Sequence, residues 1–147
     1  MVGVPVRGSE TAMIVRLLAA AGALVSGAVH LKLWFDGTRH FDVVGPAFML
    51  NAVAGLVIAV LLLTWHHWVP LFLAFGFGLS TLAAFVISAT VGLFGVNASW
   101  SGLYTWAAAI AEIVVIVAAL FAARAEGYER SLRQRQHRVP VGGQHLD

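Results

Sequence analysis

The chain has 147 residues, 60% of them hydrophobic and only 11% charged, with a formal net charge of +2. A water-soluble domain carries about 25% charged residues, so this composition excludes a water-facing surface over most of the chain. The basic excess is local, so it says little about nucleic acid and no nucleic-acid partner is expected; the lack of any cysteine removes thiolate nucleophiles, disulfides and thiolate metal sites.

Four segments reach the ~20 mostly apolar residues that a helix needs to cross a hydrocarbon core of about 30 Å. They run over Thr11–Trp34, Val43–Trp65, Val69–Phe94 and Leu103–Ala123. The first begins beside Arg16 with "LLAAAGALVSGA", a signal-peptide-like core, but its apolar run continues past Ser26 and Ala28 to Trp34. Arg16 lies near the cytoplasmic end and is expected to snorkel back to that face. Between segments one and two, "FDGTRHFDVVGP" is a polar extracytoplasmic turn, with Asp36, Arg39, His40 and Asp42 as candidate contacts for a partner or small ligand. Pro46 and Pro70 fall in first helical turns, where a missing N–H is tolerated. Short connections make sequential helices antiparallel, which predicts an all-α, up-down-up-down bundle.

Lys and Arg set the orientation. Arg7 and Arg16 precede or open the first segment, and Arg124, Arg130, Arg133, Arg135 and Arg138 follow the last. Residues 1–10 therefore read as an N-terminal cytoplasmic segment, 11–123 as the membrane domain and 124–147 as a basic cytoplasmic tail, with its final "VPVGGQHLD" disordered. The location is the cytoplasmic membrane. Trp34, Trp100, Tyr104 and Trp106 mark the outer interface, and Trp65 and Trp68 the inner one.

Membrane helices approach closely through small residues. Helix three has Gly76, Ser80, Ala84, Ser88 and Gly92 at four-residue spacing; helix two has Ala47, Asn51, Gly55 and Ala59; helix one has Gly22, Ser26 and His30. These stripes are expected to face the bundle interior. Glu112 stands alone in "AAAIAEIVVIVAAL". At 1.5 Å per residue it lies about 13 Å deep and Asn51 about 10 Å. A carboxylate facing lipid is costly, so Glu112 is expected to point inward, toward Asn51 and the Ser26–His30 edge, either protonated and donating to Asn51 or ion-paired with His30.

The stretch "HLKLWFDGTRHFDVVGPAFMLNAVAG" resembles a pattern in small uncharacterised bacterial four-helix integral membrane proteins: His-x-x-Leu-Trp ending helix one and Gly-Pro-x-Phe-x-Leu-Asn opening helix two. The resemblance covers about a third of the chain and implies an architecture without an established activity. No G-x-S-x-G elbow, phosphate loop, H-E-x-x-H or intramembrane aspartate pair is present. No metal or cofactor is predicted. The sequence reads as a non-enzymatic accessory or interaction subunit of a membrane assembly, with the lipid bilayer and other membrane subunits or further copies as partners. Two alternatives stay open: a small proton-coupled transporter using Glu112, and a quinone- or haem-binding protein using His30.

Overall fold

The computed structural model describes residues 7–137, with side chains over residues 10–127. The expectations for residues 1–6 and 138–147 lie outside the described residues. The chain folds as α1 (Arg7–Phe35), a 3-10 turn (Thr38–His40), α2 (Val44–Thr64), α3 (Trp68–Thr90) and α4 (Leu103–His137). All four helices are long and apolar enough to cross a membrane, which is compatible with a multi-pass membrane protein. α4 has 35 residues, roughly 50 Å at 1.5 Å per residue, well beyond the length of one hydrocarbon crossing.

Local chemistry sets the helix ends. Pro46 and Pro70 are each the third residue of their helix. The His67 ring caps α3, its Nδ1 accepting the Val69 N–H at 3.3 Å. α3 ends at Thr90, not at the expected Phe94: Gly92 adopts φ +83 just past the Val91 cap, the left-handed conformation that closes helices and favours glycine. The following connection makes a small reversal, with Leu93 and Val96 bonded in both directions at 2.9 Å.

α1 packs along both α4 and α2, α3 packs along α4, and the α2–α3 seam is thin. Alanines make up much of the core: Ala19, Ala20 and Ala23 on α1 and Ala118, Ala119 and Ala122 on α4 belong to one buried cluster with Leu62, Leu71 and Val115. Outward positions carry large apolar side chains, among them Leu50, Leu56, Phe72 and Ile110. Glycines permit close approaches between helices. A Cβ on Gly55 would stand 2.6 Å from the Ala23 carbonyl oxygen, and one on Gly78 would stand 3.0 Å from the Glu112 carbonyl oxygen.

Of the expected α3 stripe, Ser88 is buried and Ala84 half-buried, while the first two members are not. Gly76 and Ser80 are exposed, and a Cβ on Gly76 would meet nothing within 4 Å. The buried face of α3 runs through Leu71, Ala74, Phe77, Gly78 and Ser88. Gly76 and Gly78 are two residues apart, about 200° around a helix of 3.6 residues per turn, so the contact face lies almost opposite Gly76. Ala47 on α2 is likewise exposed, whereas Gly55 and Ala59 of the same stripe are buried.

Arg16 is only 3% exposed, and its guanidinium reaches the connection between α2 and α3. Its Nη1 donates to the carbonyl oxygens of Leu62 and Trp65, both at 3.2 Å, and its Nη2 donates to the His67 carbonyl at 2.7 Å and to Glu126 Oε2 at 3.2 Å. Its Nε completes the pair with Glu126 Oε1. The end of α2 leaves carbonyls without intrahelical partners, and a guanidinium with five N–H donors satisfies them where it stands.

Candidate functional site

A chamber of about 530 Å³ lies where α2 and α3 fail to close on each other. His30, Asn51 and Glu112 line it from α1, α2 and α4, with Phe48, Phe77 and Phe85 among its apolar walls. Both the Thr38–His40 turn and the α3–α4 connection contribute to its boundary, through Thr38 and through Leu93 and Val96.

Glu112 is 1% exposed. The α1–α4 interface brings Ser26 to it, and Ser26 Oγ donates to Oε1 at 3.2 Å. Oε2 has no hydrogen-bond partner among the described residues. Ser26 serves the next group as well: its backbone carbonyl lies 2.8 Å from His30 Nδ1. A carbonyl can only accept, so Nδ1 carries the proton, and in the neutral ring Nε2 is an acceptor. The His30 ring packs against Phe48 with centroids 4.8 Å apart.

Asn51 does not bond Glu112, contrary to the sequence-based expectation. Its Nδ2 donates to Thr81 Oγ1 at 3.2 Å, and Thr81 in turn donates to the Phe77 carbonyl at 2.8 Å. Asn51 Oδ1 is left buried and unpartnered. Since the Thr81 proton is already committed, the amide must present its NH₂ there, which fixes the side chain with its oxygen as the free atom. Sequence reasoning missed Thr81; the available signal was its place four residues after Phe77 and seven before Ser88, on the face that packs inward.

The remaining candidate residues divide sharply. Ser88 bonds the α3–α4 connection, donating to the Val96 carbonyl at 2.9 Å while its Oγ accepts the Ala98 N–H at 3.2 Å. Ala84 and Ser80 line the chamber, and Gly92 sits in the turn beyond α3. Asp36, Arg39, His40 and Asp42 are exposed and outside the chamber lining. Asp36 pairs with Lys32 one turn back, at 2.6 Å through Oδ1, and Arg39 Nε points to His40 Nε2 at 3.4 Å. The wall contributed by the α3–α4 connection had no sequence signal beyond its glycines.

No protein-family model matches the chain, and no curated protein or solved structure matches it either.

Proposed function

We propose that the chain is a multi-pass integral membrane protein, with helices running up-down-up-down and both termini cytoplasmic, that works as a small proton-coupled transporter. Glu112 holds either a proton or a cation. The observation that carries this reading is Glu112, a lining residue of the chamber whose Oε2 is buried without a hydrogen-bond partner among the described residues. An uncompensated charge in apolar surroundings costs several kcal/mol or more. A proton or a cation removes that cost, and the two compete for the same oxygen. That competition is the coupling. The orientation is supported by the basic residues at both ends of the chain and by the meeting of the 36–43 and 91–102 connections around one chamber.

The test is reconstitution into vesicles containing a trapped pH dye. A gradient of Na⁺, K⁺ or ethylammonium, corrected for protein-free vesicles, is expected to drive a pH change that Glu112→Gln abolishes while circular dichroism stays unchanged. Equal pH changes in both proteins, or none in either, overturn the reading.

A second reading, an accessory or interaction subunit, is favoured by the open small-residue surface at Gly76 and Ser80 on α3, where another helix has room to approach closely. The same vesicles separate the two, because flux by the isolated chain needs no larger assembly. The quinone- or haem-binding alternative draws on His30, whose Nδ1 is engaged with Ser26.

A further inference from the structure

We infer that the chamber binds a small organic ammonium ion, with its charged head between Glu112 and Asn51 and its apolar body against the phenylalanine walls. This assignment rests on the transporter reading and names the class of cation that Glu112 exchanges for its proton.

The polar centre of the chamber is rich in acceptors and poor in donors. Glu112 Oε2 and Asn51 Oδ1 are buried with no donor to meet them, and His30 presents an acceptor nitrogen once Nδ1 has donated to Ser26. Neighbouring hydroxyls have given their protons elsewhere: Ser80 and Thr81 to the Phe77 carbonyl, Ser88 to that of Val96. Of the other lining hydroxyls, Thr38 and Ser99 belong to the connections, and Thr105 is seven residues before Glu112 on α4, about 10 Å along the axis. Among the described residues, no Lys or Arg lines the chamber, and Glu112 is its one acidic lining residue. A ligand complementary to this centre brings positive charge and several N–H donors.

An ammonium group meets that description, with three N–H donors and no acceptor in the primary form. A bare inorganic ion fits less well. Hard cations such as Ca²⁺ take about six to eight oxygen ligands, whereas two unpartnered buried oxygens are offered here. Among the described residues, no three His, Asp or Glu side chains converge. An anion or a carbonyl compound would face the carboxylate without a donor. The rest of the chamber is built for an apolar body: Phe48, Phe77 and Phe85 line it beside Val44 and Ala54, and aromatic faces attract an adjacent cation. A volume of about 530 Å³ falls within the range of roughly 300–1,000 Å³ that holds small organic ligands.

The experiment uses the full chain in lipid nanodiscs, with binding followed by saturation-transfer NMR against empty nanodiscs. The probes are cyclohexylammonium and phenethylammonium, each beside its matched neutral alcohol. A charge-assisted hydrogen bond is stronger than a neutral one by an amount equivalent to about tenfold in affinity. Both ammonium ions should therefore bind at least about tenfold tighter than their alcohols. Glu112→Gln should remove the preference, and Glu112→Asp, which keeps the charge, should retain part of it. Equal binding of amine and alcohol, or a preference that survives Glu112→Gln, overturns the assignment, as does no binding of either ammonium ion. If Na⁺ or K⁺ still drives a Glu112-dependent pH change in vesicles, only the ammonium assignment falls. If no cation does, the transporter reading falls with it.

Discussion

Arg16 makes five hydrogen-bond contacts through its five N–H donors, and its positive charge is matched by Glu126. Glu112 has one donor, Ser26, for two oxygens. Both side chains are buried in apolar helices, but the first is saturated and the second is not, and only an unsaturated group has chemistry left for a ligand. Arg16 therefore reads as structure and Glu112 as a site. Replacing Arg16 by Met removes all five contacts, the ion pair with Glu126 among them; a loss of about 3 kcal/mol is expected in denaturant titrations in mild detergent. Arg16→Lys keeps the charge with three donors in place of five and should lose less, about 1–2 kcal/mol.

The helices differ in how much of their role the residues disclose. Their existence and starts were legible, because length, apolarity and the prolines near the beginnings of α2 and α3 are one-dimensional signals. Which face each helix buries was legible for α1, where Gly22, Ser26 and His30 are all buried, and misleading for α3. The four-residue stripe through Gly76 and Ser80 competes with another series through Ala74 and Gly78, and composition cannot rank two small-residue faces on one helix. The partner helix decides, since Gly78 lets the backbone of α4 come close at Glu112. Glu112 and Ser26 could be placed together from depth alone, whereas the Asn51–Thr81 bond required knowing that α2 and α3 face each other across a gap. A pair of substitutions follows from this geometry. Gly78→Leu should destabilise by about 1–3 kcal/mol through overpacking against Ile116 and the Glu112 carbonyl. Gly76→Ala meets nothing and should stabilise by about 0.5–1 kcal/mol through helix propensity. Thermal unfolding of both variants in one detergent checks the contrast, and equal effects would mean that α3 is rotated from the face described.

At the scale of the molecule, the chamber owes its existence to unequal packing. α1 holds α2 and α4 tightly and α4 holds α3, so the ring of helices is firm on three seams and loose on the fourth. The absence of native cysteines makes the proposed orientation simple to examine. Single substitutions His40→Cys, Ser99→Cys and His66→Cys each place one thiol at an exposed site on a different connection. In intact cells a membrane-impermeant maleimide should label the first two and leave the third untouched until the membrane is opened; labelling of His66→Cys alone would invert the protein. Arg16 has a further consequence for how such a chain is made. Its carboxylate partner lies 110 residues downstream on α4, so on the proposed membrane reading the guanidinium would wait among lipid headgroups until α4 follows the first three helices. On that reading α4 arrives as a bolt: until it docks, α1 would not settle to its full depth, and a chain truncated before α4 would keep its opening helix half-withdrawn.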